Sequence, residues 1–193
     1  MQVAAFLSYV FVTAYTPGPN NIMAMSNANR YGFKKSLKFN FGVGAGFVVI
    51  MLLCSYFNLF MYSFIPKIEF AMKIVGGLYM LYLCVKIIRS KPTGESTVDG
   101  KLNSFLTGMW LQFINPKVIL YGITAFSTFV IPYYQSNTAL ILFSLLLAVI
   151  GCSGTICWAI FGAVFQRFLS KYRIQFNIAM GLLLLYSAVS IWA

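Results

Sequence analysis

Long apolar stretches alternate with short stretches rich in charged or turn-forming residues along the whole chain. A membrane helix needs about 20 mainly apolar residues, and by this measure the sequence predicts six spans. They cover roughly residues 3–24, 40–64, 68–88, 103–130, 138–164 and 174–193. The uncharged run from Val118 to Gln166 is too long for one crossing, and the turn-forming residues 131–137 divide it. The expected fold is therefore an all-α integral membrane protein.

Two of these spans, the first and the fourth, contain proline where a membrane helix would otherwise continue. The break in the first span consists of Thr16, Pro17, Gly18, Pro19, Asn20 and Asn21, and the break in the fourth includes Gln112, Asn115, Pro116 and Lys117. Proline frees backbone carbonyls, which hydrocarbon tolerates only where protein or a polar cavity satisfies them. Helices broken at matching positions in two halves of a chain are typical of transporter substrate sites.

The matched breaks predict six transmembrane helices arranged as a 3+3 inverted repeat with broken first and fourth helices. The repeats would cover about residues 1–90 and 102–193 and be joined by a cytoplasmic linker, 91–101, so that 1–193 is a single membrane transporter domain. Residues 77–85 and 181–189 also align with each other, with glycine, leucine, tyrosine and valine coinciding. The third span is the shortest, with only twelve residues between Lys73 and Lys86.

Composition and charge agree with this class. The chain is 60% hydrophobic and 9% charged, whereas soluble domains have about 25% charged residues. A net charge of +11 does not indicate nucleic-acid binding here, because the basic residues lie in short loops rather than on one polar face. We expect a lipid bilayer around the protein and no nucleic-acid partner.

Most of the basic residues lie in or beside three loops, whereas the other two loops and both termini have only Lys67 and Lys73, and this asymmetry orients the spans. The residues in or beside the three loops are Arg30, Lys34, Lys35 and Lys38; Lys86, Arg89, Lys91 and Lys101; and Arg167, Lys171 and Arg173. The positive-inside rule places these loops in the cytoplasm and both termini outside. The first segment has no Lys or Arg ahead of its apolar run, so we expect it to be retained as a span rather than cleaved as a signal.

Catalytic and metal chemistry has few candidate residues. The chain has no histidine, and its only acids are Glu69, Glu95 and Asp99. We therefore expect no catalytic triad, no metal site and no cofactor. The four cysteines lie in apolar spans without metal-ligand spacing, which favours a packing role: Cys54, Cys84, Cys152 and Cys157.

The break in the first span has two interpretations, and residue chemistry leaves both open. Its freed carbonyls offer acceptors for an ammonium, Asn20 and Asn21 offer side-chain donors and acceptors, and a helix restarting at Ile22 would point its positive end at an anion. Alternatively, the break is a structural kink satisfied by neighbouring helices.

Lys117 is the only charged residue deep inside a predicted span. A rise of about 1.5 Å per residue places it roughly 20 Å from an interface near Asn103. A buried lysine costs a few kcal/mol, so it needs acceptors, and the spans offer only carbonyls, amide oxygens, water or an anionic substrate group. The alternative is that it snorkels to the outer face.

Small residues mark the second helix of each predicted half. They are Gly42, Gly44 and Gly46 in one and Gly151, Gly154 and Gly162 in the other. Glycine lets helix backbones approach, so we expect close packing around the site; a homodimer seam is the alternative.

Several of these motifs resemble the LysE/RhtB family of amino-acid exporters. They are residues 16–21, 32–36, the glycine-rich second span and residues 112–117, and the similarity extends over essentially the whole chain. Residues 121–130 and 157–159 resemble the branch that exports cysteine and O-acetylserine. The resemblance implies an efflux carrier for small amino acids in the bacterial plasma (inner) membrane, with proton exchange as a driving force. The spans contain no histidine or aspartate and only Glu69, near one end, so coupling would use Lys117, substrate protonation or no proton at all.

The sequence therefore predicts an exporter that moves small amino acids, such as cysteine and O-acetylserine or threonine and homoserine, by alternating access. Its substrate-binding residues would be those of the two breaks, with the substrate carboxylate near Lys117 and the helix restart, and the ammonium near freed carbonyls, Asn20 and Asn115. A non-transporting scaffold or regulator is the alternative. An intramembrane enzyme is disfavoured, because a Cys or Ser nucleophile would have only Lys117 as its base.

Overall fold

The computed structural model describes residues 1–89 and 102–190. Within these ranges, it does not describe the side chains of residues 59–69, 72, 167, 170, 173 and 190. The expected linker 91–101 lies outside the described residues. The helices are α1 Val3–Tyr15, α2 Pro19–Tyr31, α3 Phe33–Tyr56, α4 Asn58–Ile88, α5 Phe105–Ile114, α6 Pro116–Thr124, a π-helix Ala125–Val130, α7 Asn137–Val164, α8 Gln166–Lys171 and α9 Arg173–Ser190. The described part of the chain is thus all-α, as predicted.

Membrane-spanning capacity follows from length and composition. Among the described residues, two helices, α3 and α7, are each long and apolar enough to cross a bilayer. The pair formed by Phe105–Ile114 and Pro116–Val130 also qualifies if it is one span, bent by 63° at its break. Val3–Tyr15 and Ile174–Val189 are shorter apolar helices.

Both predicted breaks are present. Thr16 and Gly18 have extended backbones, with ψ of 150° and 173°, as expected for residues that precede proline. The restart at Ile22 is wrong: α2 begins at Pro19, because the fixed φ of proline and its missing N–H suit the first position of a helix. In the fourth predicted span, Asn115 is the one non-helical residue between α5 and α6.

The predicted limits of spans two and three are wrong. The interruption lies at Phe57 rather than near residues 65–67, so α3 and α4 cover 33–56 and 58–88. The second helix starts early because Gly32, with φ +82°, ends α2 and turns the chain directly into α3. Lys34, Lys35 and Lys38 consequently lie in the first turns of α3 and not in a loop. The predicted connection before α7 is confirmed.

The centre of the bundle is formed by α3 and α7, which pack against each other. The break-containing helices flank them, with α5 on α3 and both α1 and α2 on α7, while α4 pairs with α9. Glycine makes these approaches possible: a Cβ on Gly46 would lie 2.7 Å from the Met109 carbonyl oxygen of α5, and one on Gly154 2.6 Å from the Ala14 carbonyl oxygen of α1. The expectation of close packing within the chain is confirmed.

The described part of the protein has a largely apolar core that also contains buried polar side chains, and its outer surface is apolar. Amide and hydroxyl side chains are buried, among them Asn20, Gln112, Asn115, Ser144 and Thr155. Large apolar side chains on α4, α7 and α9 are exposed, for example Leu78, Leu142, Val149, Val164 and Leu182. An apolar surface of this extent suits a hydrocarbon environment.

Candidate functional site

The two breaks lie against each other, although they are about 95 residues apart in sequence. Asn20 and Gln112 exchange two hydrogen bonds, from Asn20 Nδ2 to Gln112 Oε1 at 2.7 Å and from Gln112 Nε2 to Asn20 Oδ1 at 3.2 Å. Asn115 Nδ2 donates to the same Asn20 oxygen at 3.4 Å. All three side chains are buried. The expected convergence of Asn20 and Asn115 is therefore observed.

The last carbonyls of α1, which have no N–H donor inside the helix, accept hydrogen bonds from side chains. The donors are the Thr16 hydroxyl to Thr13 O at 3.1 Å, the Asn21 amide to Ala14 O at 3.0 Å and the Trp158 indole to Tyr15 O at 3.0 Å. Buried carbonyls without partners cost free energy. This capping from α2 and α7 is what allows the chain to unwind inside the protein.

Lys117 completes the cap. Its ammonium lies 3.0 Å from Thr16 O, 2.9 Å from Thr16 Oγ1 and 3.3 Å from Pro17 O. We call these three oxygens the carbonyl cradle. The ammonium therefore lies in the first break, which favours the interpretation that Lys117 binds freed carbonyls over the interpretation that it snorkels to the outer face. Lys117 finds its acceptors among freed carbonyls, as its burial required.

The second break is closed by its own residues. The Asn115 side chain caps α6 by accepting from the Lys117 backbone N–H at 3.1 Å, and Pro116 occupies the first helical position. This local cap fixes the direction in which the Lys117 side chain leaves the helix. Gly18 then lets it reach the cradle, since a Cβ on Gly18 would lie 3.2 Å from both Lys117 Cδ and Nζ.

The start of α2 offers open donors beside the cradle. Its N-cap is Gly18, which has no side chain to cap the helix, and Pro19 has no N–H. Among the described residues, the backbone N–H groups of Asn20 and Asn21 have no hydrogen-bond partner. These donors and the positive end of the helix dipole favour a negative group. The site thus combines acceptors for a cation with donors for an anion.

Two cavities meet at Gly18 and Lys117. The smaller, of about 30 Å³, is lined by residues that include Phe47, Tyr121 and Thr155. The larger, of about 800 Å³, runs between the first break and the α4–α9 pair, where Met80, Leu183 and Tyr186 line it. One water needs roughly 10–15 Å³ by this measure. The smaller cavity therefore holds little more than water, while the larger can admit a small molecule.

The structure brings together the residues that the sequence proposed. Both cavities are lined by Gly18 and Lys117; Thr16, Pro17, Pro19 and Pro116 line the larger one, and Asn20, Asn21 and Asn115 the smaller one. Gln112 lies behind Asn20 and also donates to the Gly108 carbonyl at 2.8 Å. Within the described ranges, no three side chains of His, Cys, Asp or Glu are grouped so as to hold a metal ion.

Sequence reasoning missed the residues that α6 and α7 add to the site. Trp158 caps the first break, and Tyr121, whose hydroxyl donates to Leu147 O at 3.3 Å, walls both cavities. A signal for Trp158 existed, because an indole N–H in an apolar span needs an acceptor. The sequence did not indicate that this acceptor is Tyr15 O, 143 positions away.

Comparison with known proteins places this geometry in a family. The family profile described as LysE type translocator matches residues 11–192. The chain is 44% identical over 192 residues to the "Cysteine/O-acetylserine efflux protein" of Salmonella typhi, covering 100% of this chain and 98% of that protein. It is 42% identical over 190 residues to the protein of the same name from Escherichia coli (strain K12), covering 98% of this chain and 97% of that protein. No solved structure matches the chain. The protein therefore belongs to the LysE type translocators, a family of membrane transporters, and is not an enzyme.

Proposed function

We propose that this translocator exports small amino acids, with cysteine and O-acetylserine as the first candidates, out of the cell across the bacterial inner membrane. The observation that carries the proposal is the adjacency of the carbonyl cradle and the open N–H groups of α2. A zwitterionic amino acid has one ammonium and one carboxylate on a single carbon, and a site with neighbouring acceptors and donors suits both. The printed names of the relatives support the same substrate class.

The substrate ammonium binds at the Thr16 and Pro17 carbonyls, and its carboxylate binds at the Asn20 and Asn21 N–H groups, within reach of Lys117. The Asn20, Gln112 and Asn115 amides hold the two breaks in register. The broken helices contain no acidic residue in sequence ranges 3–31 and 103–130. Neutral carbonyls can bind an ammonium without a buried carboxylate, which avoids the desolvation of a second charge.

The size of the site favours small substrates. The larger cavity of about 800 Å³ provides a route, whereas the space beside Phe47, Tyr121 and Thr155 is about 30 Å³. A side chain as short as that of cysteine fits there with small adjustments of Tyr121. Longer or branched side chains, such as those of O-acetylserine and threonine, would instead extend into the larger cavity, because the packed α3–α7 core resists displacement.

Helix packing supports the 3+3 inverted repeat of six spans. If α1, α2, α3 and α4 of the first half correspond to α5, α6, α7 and α9 of the second, the helix contacts match. The α5–α3 contact corresponds to α1–α7, and α6–α3 to α2–α7. The α3–α7 and α4–α9 contacts each join two equivalent helices. Asn103 Nδ2 donates to Lys35 O at 3.0 Å, which joins the start of the second half to the basic end of α3. The helix α2, which ends near Arg30, also contacts α8, which contains Lys171. These contacts support a common basic face, which the positive-inside rule assigns to the cytoplasm, with both termini outside.

Alternating access follows if the two halves rock about the shared breaks, exposing the site to each side in turn. The amide bridge between Asn20 and Gln112 would act as the pivot.

Transport of labelled L-cysteine into everted membrane vesicles, kept reduced, tests the proposal. We expect uptake in vesicles that contain the protein and loss of uptake in the Asn20→Leu variant at equal protein level. Absence of uptake for cysteine, O-acetylserine, threonine and homoserine would contradict export of small amino acids and favour a non-transporting scaffold.

A further inference from the structure

The position of the Lys117 ammonium has a chemical meaning beyond capping. It is bound by two carbonyl oxygens and one hydroxyl of Thr16 and Pro17 at 2.9 to 3.3 Å. A lysine ammonium carries three N–H donors, as does the α-ammonium of an amino acid. The cradle is therefore already occupied by a group that matches the cationic end of the proposed substrate.

The bond between Lys117 and the cradle is of a kind that can be exchanged. All of its acceptors are neutral, and a neutral acceptor binds an ammonium less strongly than a carboxylate does. The lysine stem is flexible, and Gly18 leaves it room because a Cβ there would approach Nζ to 3.2 Å. The half-buried side chain also lines the cavity of about 800 Å³, into which it can swing.

We propose that Lys117 is an internal substitute for the substrate: its ammonium fills the ammonium subsite of the empty carrier and is displaced into the larger cavity when an amino acid binds. This inference rests on the proposed function and assigns a specific subsite to the Thr16 and Pro17 carbonyls.

The consequence concerns the return of the empty carrier. When the empty carrier moves without a group in its cradle, the Pro17 carbonyl loses the donor that Lys117 supplies, and Thr16 O keeps only the hydrogen bond from Asn21 Nδ2 at 2.8 Å. The loss of these hydrogen bonds is unfavourable at membrane depth. Lys117 supplies them, so the empty and the loaded site present the same set of hydrogen bonds. The substitute removes the need for a coupling cation during return.

Two transport modes in proteoliposomes separate this role from others. Net efflux into substrate-free buffer requires return of the empty carrier, whereas exchange of labelled for unlabelled L-cysteine at saturating concentrations does not. For Lys117→Ala we expect net efflux to fall at least about tenfold further than exchange, because the empty form loses the hydrogen bonds that fill its cradle whereas a bound substrate ammonium supplies them in the loaded form. Lys38→Met, a change at an exposed lysine on the basic face, should match the wild type in both modes.

Chemical rescue sharpens the test. With n-propylammonium at equal concentration on both sides, Lys117→Ala should regain net efflux, since a primary ammonium can fill the vacated cradle. Tetramethylammonium, which has no N–H donor, should not restore it. Gly18→Ala, which crowds the ammonium but retains the lysine, should also reduce net efflux more than exchange.

Each outcome bears on a different claim. Equal loss of exchange and net efflux in both Lys117→Ala and Gly18→Ala, without rescue, would overturn the substitute role, and so would normal net efflux in Lys117→Ala. Absence of both modes in the wild type would instead overturn the proposed function.

Discussion

The two helix breaks have the same ingredients and different closures. Each helix restarts with proline at its first position, at Pro19 and at Pro116. The second break is one residue long and is capped by its own asparagine, Asn115. The first has three non-helical residues, 16–18, and takes its caps from α2, α7 and, through Lys117, α6.

The difference separates a fixed element from an exchangeable one. A cap supplied by the adjacent residue stays in place when helices move, so the second break can hold Lys117 in a constant direction. A cap supplied from other helices can be replaced by another donor, so the first break can accept a substrate ammonium. The second break thus positions Lys117, and the first break binds the ammonium group.

Adding a methyl group at Gly154, which packs against the end of α1 next to the first break, should have the largest effect. In Gly154→Ala the added Cβ would lie 2.6 Å from the Ala14 carbonyl oxygen, which is backbone and cannot rotate away. We expect about 1–3 kcal/mol of destabilisation and loss of transport, measured by thermal unfolding in detergent. Gly44→Ala, whose Cβ would lie 3.2 Å from the Cys152 sulfur, is the matched control and should cost less.

Breaking the amide bridge between the two breaks should come next. Gln112→Leu leaves the buried Asn20 amide without its main partner and should destabilise by about 1–3 kcal/mol. The double variant with Asn20→Leu should be more stable than the sum of the two single changes predicts, because both polar groups are then removed. Strict additivity in the unfolding free energies would argue against a bridge.

The two breaks can be compared by removing one helix cap from each and measuring stability and efflux. Asn115→Ala should cost about 1 kcal/mol and also reduce efflux, because Lys117 loses its fixed direction; Asn115→Ser should recover both. Trp158→Phe leaves Tyr15 O without a donor and should cost about 1 kcal/mol of stability with efflux nearly unchanged. Similar efflux in Asn115→Ala and Trp158→Phe, at equal protein level, would contradict the distinction between a fixed second break and an exchangeable first break.

Orientation is tested without any expected effect on stability. In a background without native cysteines, Lys34→Cys should be shielded from an impermeant thiol reagent added to intact cells, and Asn137→Cys should react. Both residues are exposed. Lys34 lies at the start of α3 and Asn137 at the start of α7, at opposite ends of the helix bundle. The reverse labelling pattern would place the termini in the cytoplasm.

Much of the site could be predicted because its residues are unusual within long apolar segments. Prolines inside a span and one lysine in a long uncharged run are costly unless used, and these pointed to residues 16–21 and 112–117. The caps from Trp158 and the wall from Tyr121 depend on how helices pack, which no local pattern encodes. The limits of α3 and α4 failed because they depend on Gly32 and Phe57, where backbone angles rather than hydropathy end the helices.

Exchange of Lys117 for the substrate ammonium at the first break can be followed by a dipolar coupling in solid-state NMR. The protein in lipid is labelled with ¹⁵N at the lysine side chains and ¹³C at the threonine carbonyls, with Lys117→Met to assign the signal. Without substrate, the 3.0 Å contact between Lys117 Nζ and Thr16 O predicts a strong coupling to the Thr16 carbonyl carbon. Saturating L-cysteine should abolish it; a coupling that persists at concentrations saturating transport would contradict the account.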